Sequence, residues 1–446
     1  MNVHFIAIGG SAMHNLAIAL CHKGYHVTGS DDEIFEPARS RLASQGILPP
    51  TEGWDPSRIT AGLDAVILGM HAKKDNSELA RAKELNLKIF SYPEFLYKQS
   101  KEKKRIVIGG SHGKTTITAM ILHVLRHYNL DCDYLVGAQL RGFDVMVRIT
   151  EEAPLMIFEG DEYLTSPLDP RPKFHLYRPQ IALLSGIAWD HINVFPTFEN
   201  YVEQFRIFIR QIPAGGTLIY CEDDEMLREI CPETSENITL IPYTAPEYRI
   251  LDGISYVADG SSEYRLQVFG RHNMMNLNGA RLICSQLGID NKKFFEAIGS
   301  FEGAARRLEK IQTNGDRIVF KDFAHAPSKV RATLHAVREQ FPGLPVTACL
   351  ELHTYSSLSR EFLDHYNGSL DDADYPMVYF SEHAISLKRL PPITPGEVKE
   401  GFANTRLEVF TDSGLLSERL KKNKQDKGVL LMMSSGNFDG LDLSAL

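Results

Sequence analysis

Residues 105–116 read Arg-Ile-Val-Ile-Gly-Gly-Ser-His-Gly-Lys-Thr-Thr. A short apolar run enters a glycine-rich loop, and the loop enters an amphipathic stretch from Ile117. The order predicts strand, phosphate loop, helix. Backbone N–H groups of such a loop, with the positive end of a helix dipole, form an anion site. In that site Lys114 reaches β/γ-phosphates and the Thr115 hydroxyl binds Mg²⁺. The common phosphate loop has four residues between its first glycine and the Gly-Lys pair. The position it requires is Ile108 here, so the loop counts from Gly109 or Gly110 and is shorter. That weakens an ordinary kinase or GTPase reading.

Other residues with chemistry follow apolar runs. Leu155–Phe158 leads into Glu159-Gly-Asp-Glu162, and Ile181–Leu184 leads to Ala188-Trp-Asp-His191. A carboxylate at a strand end beside a phosphate loop suits Mg²⁺, although a lone acidic strand end also serves as a helix cap or solvated turn. Lys114, Thr115, Glu159 and His191 could converge on Mg²⁺ and a γ-phosphate. Near the amino terminus, Ile6–Met13 resembles a dinucleotide fingerprint with Ala7 and Ala12 in place of its outer glycines. Asp31 ends the second apolar run, about where a ribose-reading acid would sit. The pattern fits a nucleotide diphosphate or a tight turn that strand–helix packing needs. Asp322-Phe-Ala-His-Ala-Pro327 follows Ile318–Phe320. There Asp322 and His325 reach a nucleotide, or Asp322 caps a helix ahead of Ser328.

These residues require three α/β blocks to hold them. A chain of 446 residues is too long for one ordinary core. The first block, 1–103, alternates apolar runs (Val3–Ile8, His26–Gly29, Ala65–Leu68, Lys88–Phe90) with helical patterns, which argues a doubly wound parallel sheet. Lys98–Arg105 reads as a polar linker. The second block, 104–308, carries the phosphate loop, then a poorly patterned stretch (Tyr243–Tyr264) and a helix-rich region opened by Gly270. The third, 309–446, has apolar runs at Arg317–Phe320, Val346–Leu350, Met377–Phe380, Leu407–Phe410 and Val429–Met433, a second doubly wound sheet.

Composition narrows the class. A net charge of −9 argues against a nucleic-acid partner, which needs a basic field. The six cysteines are scattered without Cys-x-x-Cys spacing, as expected of free thiols in a reducing compartment. No apolar run approaches the length of a membrane span, and a cytoplasmic location with no membrane insertion is the expectation. Oligomeric state is not legible.

The ensemble resembles the Mur ligase family, the ATP-dependent amide-bond formers of peptidoglycan assembly. The resemblance rests on Gly110–Thr116, Ile8–Met13, Gly29–Asp31, Glu159–Glu162, the Asp190-His191 pair, Gly270–Asn276, Arg306–Leu308 and Asp322–Pro327, which recur in family order. It implies a three-domain fold: a Rossmann-like amino-terminal domain, a central phosphate-loop ATPase domain and a Rossmann-like carboxyl-terminal domain. It implies ATP and Mg²⁺. Gly110, Ser111, His112, Gly113, Lys114, Thr115 and Thr116 would cradle phosphate. Thr115 and Glu159 would hold one Mg²⁺, with Glu159 and His191 at a second; Lys114, Glu159 and His191 would be catalytic. Asn273 and Asn276 would read adenine, and Arg307, Asp322 and His325 would contact ATP. Gly9, Gly10, Ser11, Ala12, Met13, Ser30, Asp31 and His71 would bind UDP-N-acetylmuramate. Several members also hold a metal with a carbamylated lysine after the histidine matched by His191. Ile192–Ile212 has no lysine.

Two branches of the family compete. One joins L-alanine to UDP-N-acetylmuramate, in peptidoglycan biosynthesis. The other joins L-alanyl-γ-D-glutamyl-meso-diaminopimelate, a murein peptide, to the same nucleotide, in recycling. The run Lys173-Phe-x-x-Tyr-Arg-Pro179 and the end Met433-Ser-Ser-Gly-Asn-Phe-Asp-Gly440 resemble the second branch. Alanine ligases carry His-Arg-Tyr-Thr-Arg where this chain has His353-Thr-Tyr-Ser-Ser357. Glu351-Leu-His-Thr-Tyr-Ser356 departs from the recycling pattern, so the peptide contacts are not carried over. The rival of another class is a nucleotide-binding regulator without catalysis. An intact Lys114, Thr115, Glu159 and His191 set argues against it.

Overall fold

Apolar runs bounded by turns pair in this chain as buried parallel strands, the arrangement expected when both sheet faces are covered. The computed structural model describes residues 1–443 except 141, 144, 190–193, 234–236, 305–307, 315 and 423–426. The chain divides into two compact units, residues 1–244 with 275–297, and residues 245–274 with 298–446.

The first unit holds two sheets. Strands β1 (Asn2–Ile6), β2 (His26–Ser30), β3 (Ala65–Leu68) and β4 (Ile89–Ser91) form a parallel sheet in the order β2-β1-β3-β4. β1 ends two residues earlier than the apolar run, because Ala7 takes a left-handed backbone, φ 69°. The helix Ser11–His22 follows. Seven further strands are β5 (Lys104–Gly109), β6 (Cys132–Leu135), β7 (Val147–Arg148), β8 (Leu155–Glu159), β9 (Ile181–Leu184), β10 (Thr217–Cys221) and β11 (Thr239–Tyr243). Their order is β11-β10-β9-β5-β8-β6-β7. The central β5 is flanked by β8 and β9, so three strand ends meet around the phosphate loop.

The second unit also has two sheets. β12 (Tyr248–Leu251), β13 (Ile254–Asp259) and β14 (Ser262–Leu266) form a small antiparallel meander. β15 (Glu309–Asn314), β16 (Asp316–Asp322), β17 (Val346–Leu352), β18 (Tyr375–Phe380), β19 (Glu408–Phe410) and β20 (Lys427–Met433) order as β15-β16-β20-β17-β18-β19. Only β15 is antiparallel to its neighbour. Alternate residues feed opposite faces: Leu350, Val378 and Leu431 enter one core, and Cys349, Met377 and Leu430 the other. That is the doubly wound pattern, because successive strand side chains point to opposite sides.

Two stretches carry more structure than their composition suggests. Lys98–Arg105 joins a helix to β5 and is only partly exposed. Lys98 belongs to the helix Tyr92–Gln99. Lys103 is buried and pairs with Asp133 at 2.6 Å. Arg105 donates to the carbonyls of Ser100, Lys101 and Tyr177 at 3.0, 2.7 and 3.0 Å. Composition reads these two cations as solvated, whereas Asp133 and the Tyr177 carbonyl, distant in sequence, satisfy them inside together with the nearby Ser100 and Lys101 carbonyls. The poorly patterned Tyr243–Tyr264 contains β12 and β13, and their exposed faces dilute the apolar alternation. The meander is tied to the helix Pro327–Gln340 by Tyr248 donating to Glu339 at 2.7 Å and by a Ser255–Gln340 bond of 3.0 Å. Among the described residues no helix is long and apolar enough to cross a membrane.

Candidate functional site

The loop after β5 has the backbone an anion cradle needs. Gly110 and Gly113 have φ of 121° and 78°, a region costly to side-chain-bearing residues. Space excludes a side chain as well. A Cβ on Gly110 would strike the Ser185 hydroxyl, and one on Gly113 would strike the Asn276 side-chain oxygen. Asn276 is therefore brought against the loop. The helix Lys114–His127 starts directly after Gly113, which aims its free N–H groups at the loop. Ser111 is fixed by Tyr201, oxygen to oxygen 2.9 Å, and accepts from the Ala188 N–H at 2.9 Å. The His112 carbonyl accepts from Ser185. Thr116 is buried on the same helix.

Lys114 donates to the Gly110 carbonyl and to Glu162, both at 2.6 Å. Burial would lower its pKa, but the Glu162 and Asp161 carboxylates raise it above the ordinary lysine value, so the ammonium stays charged. Burial would raise the Asp161 carboxyl, but Lys173 at 2.5 Å and Lys114 hold it well below the usual carboxylate range. Tyr201 donates to Glu162 at 3.3 Å. Thr115 donates to Glu159 at 2.8 Å, and the Gly137 N–H donates to the other Glu159 oxygen at 2.7 Å. A hydroxyl and a carboxylate side by side at a phosphate loop are hard oxygen donors of the kind Mg²⁺ takes. Among the described residues no group of three or more His, Cys, Asp or Glu side chains could hold a metal ion. His191 lies outside the described residues, as does Arg307.

At the carboxyl ends of β1 and β2, a cavity of about 540 Å³ is lined by Gly9, Ser11, His14, Arg41 and Met146, among others. Gly10 precedes the helix Ser11–His22, where Met13 is buried and Ala12 half-buried. The Met146 N–H donates to Asn15 at 3.0 Å, so the second sheet's chain closes one wall. Asp31 accepts from the Gly9 and Asp32 N–H groups at 2.7 and 3.0 Å. Ser30 is buried and donates to Glu78, which also lies 3.4 Å from His4. His71 is exposed after β3.

Asp31 makes a pH prediction. Burial pushes its carboxyl up to about 7, against the Gly9 hydrogen bond. An unfolded aspartate titrates at about 3.9. The stability this group contributes is present below that value and is lost as pH rises through about 7. From about pH 5 to about pH 8 the thermal midpoint of the wild type is expected to fall more steeply than that of Asp31→Asn. Parallel slopes would place the pH dependence elsewhere.

In the second unit, Asn273 is buried and donates to the Phe269 carbonyl at 2.9 Å. Asp322 accepts from the Leu308 N–H at 2.8 Å, the Thr333 hydroxyl at 2.8 Å and the Ala324 N–H at 3.2 Å. It does not cap the following helix, whose N-cap is Ala326. His325 is held by the Phe323 carbonyl at 2.8 Å. The runs Glu351–Ser356 and Met433–Gly440 meet at the ends of the paired strands β17 and β20. Buried Glu351 accepts from Ser434 and, at 2.9 Å, from the Phe438 N–H, and His353 lies 3.6 Å from it. Sequence reasoning passed over Glu351 as an anchor, and it passed over Tyr201, for which no motif gave a signal.

Comparison with known proteins agrees with this geometry. Residues 2–104 match the family description "Mur ligase family, catalytic domain", and residues 108–284 match "Mur ligase middle domain". The UDP-N-acetylmuramate–L-alanyl-γ-D-glutamyl-meso-2,6-diaminoheptandioate ligase of Haemophilus influenzae is 29% identical, over 99% of this chain and 97% of that one. The UDP-N-acetylmuramate–L-alanine ligase of Caldicellulosiruptor bescii is 31% identical, over 84% of this chain and 82% of that one. Among solved structures, the murein peptide ligase of Psychrobacter arcticus shares the fold, with a TM-score of 0.67 at 23% identity over 99% of this chain and 97% of that one. Two family domains in chain order, and a relative above three-tenths identity over most of both lengths, establish that the chain belongs to the Mur ligase family, the ATP-dependent ligases that form carbon–nitrogen bonds.

Proposed function

We propose that this ligase joins the carboxylate of UDP-N-acetylmuramate to the amine of L-alanyl-γ-D-glutamyl-meso-diaminopimelate. The carboxylate attacks the γ-phosphorus of ATP, forming an acyl phosphate and releasing ADP. The amine attacks the acyl carbon, the amide forms, and phosphate leaves with the bonding pair. Lys114 and the loop 110–116 hold the phosphates. Mg²⁺ would be held by Thr115 and Glu159, with His191 at a second position, and when bound it neutralises phosphate charge. Asn273, Asn276, Arg307, Asp322 and His325 serve the nucleotide, and the turn 9–13 with Ser30, Asp31 and His71 serves the UDP-sugar. The domains divide at 1–103, 104–308 and 309–446.

Identity alone does not choose the amine, since ligases of both branches match this chain at nearly equal identity. The observation that carries the choice is the neutral site at Thr354 and Ser357. Alanine ligases have arginines at these two positions; here the two hydroxyls bond each other at 2.9 Å. The nearby Arg360 is drawn to Glu397 at 2.6 Å and Glu400 at 3.7 Å, so it is not offered to a small carboxylate. The test is phosphate release with UDP-N-acetylmuramate, ATP, Mg²⁺ and a panel of amines. Turnover with the tripeptide supports the reading. Turnover with L-alanine alone replaces it with the biosynthetic reaction.

The reading also excludes a carbamate. Phe205 and Arg206 lie about where other members carry the modified lysine. Phe205 is buried, and Arg206 pairs with Glu199 at 2.6 Å. Lys173 already faces Asp161, which a carbamate's negative charge would repel. Carbon dioxide removal is expected to leave the rate unchanged. A rate that falls and returns with bicarbonate contradicts this.

A further inference from the structure

A second hollow, of about 890 Å³, lies at the amino-terminal ends of strands in the first unit. Lys88 precedes β4, Arg178 precedes β9, and Arg105 is the second residue of β5. The phosphate loop leaves the opposite end of β5. Five residues at about 3.3 Å each put the two about 16 Å apart. Lys88, Lys98, Lys101, Arg171 and Arg178 are exposed around this hollow, and among the described residues Glu94 is the one carboxylate lining it. In a chain of net charge −9 this is a local reversal of sign, and concave walls focus such a field.

The cations differ in availability. Arg105 is spent on backbone carbonyls. Arg171 pairs with Asp169 at 2.7 Å. Among the described residues, no carboxylate pairs with Lys88, Lys98, Lys101 or Arg178. Arg178 lies over the Tyr97 ring at 5.4 Å and Lys98 over Phe90 at 4.9 Å. Such stacking restricts the side chains and lowers the ordering cost of binding. The side-chain oxygen of Gln211, also lining the hollow, is buried without a hydrogen-bond partner among the described residues. A buried acceptor of this kind calls for a donor. Among the described residues, none of the large exposed apolar side chains lines the hollow, which argues against a membrane surface.

We propose that this hollow binds a small soluble organophosphate with two phosphate groups and hydroxyl donors, at a site separate from the catalytic one. Four unpaired cations match two phosphate dianions, and a ligand hydroxyl donates to Gln211. The test is calorimetric titration of the full chain with fructose 1,6-bisphosphate at about 150 mM salt, the catalytic site being saturated with ADP and Mg²⁺. Expected is saturable binding of one ligand per chain, at least tenfold weaker in Lys98→Glu/Lys101→Glu, whose ligase turnover without the ligand stays at the wild-type level. A second pair, Lys88→Glu/Arg178→Glu, should weaken binding likewise. Gln211→Leu should weaken the sugar bisphosphate but not pyrophosphate; equal loss for both contradicts the hydroxyl contact. Absence of saturable binding, unchanged affinity in both charge-reversal variants, or binding to phosphatidylserine vesicles that the sugar bisphosphate does not displace would overturn the proposal.

Discussion

Lys114→Ala is expected to abolish phosphate release, with kcat down by at least about a hundredfold, the scale of losing one preorganised charge at a developing anion. The sugar carboxylate and the γ-phosphate are both anions, and they must approach for the first bond to form. On the proposed reading Lys114 is the fixed cation there, kept charged by Glu162 and Asp161 despite burial. Its loss does more than remove one charge. Glu162, whose side chain is 3% exposed, would face the phosphates without its counterion, and an uncompensated buried carboxylate is costly. ATP affinity should therefore fall with the rate. Binding of UDP-N-acetylmuramate should stay within about twofold of wild type, because Lys114 is not among the residues that line the cavity at Gly9 and Ser11 and sites without shared partners act independently. Turnover near the wild-type level in this variant contradicts the assignment of Lys114.

Much of this was legible in the sequence because local pattern and chemistry coincide. Glycines with positive φ, then Lys-Thr-Thr at a helix start, mark the loop without any tertiary information. The five parallel strands of the last sheet stand out as apolar runs because both faces are covered. What was not legible depends on partners far apart in sequence. Lys103 and Arg105 look like a solvated tether until Asp133 and the Tyr177 carbonyl appear beside them. Ala7 hides a fingerprint turn, since the glycine is gone while the left-handed backbone stays. Glu351 gave no sign of anchoring the loop 434–438, because that contact crosses from β17 to β20. The meander β12–β14 alternates too weakly to be read, being half exposed.

The tripeptide is expected to be preferred over L-alanine by at least about tenfold in kcat/KM. A free amino acid presents one carboxylate next to its amine, and a close arginine clamp suits it. Thr354 and Ser357 provide no such charge, and they satisfy one another instead. Arg360 would have to leave Glu397 and Glu400 to replace it. Each missing charge-assisted hydrogen bond costs about 1.5–3 kcal/mol, and about 1.4 kcal/mol is tenfold. The tripeptide carries its carboxylates further from the reacting amine, so it does not depend on a clamp at that first position. The most direct measurement is competition of L-alanine against L-alanyl-γ-D-glutamyl-meso-diaminopimelate at equal concentration, with UDP-N-acetylmuramate, ATP and Mg²⁺, and with products separated and counted. The account predicts the tripeptide product in at least about tenfold excess; an excess of the L-alanine product would contradict it.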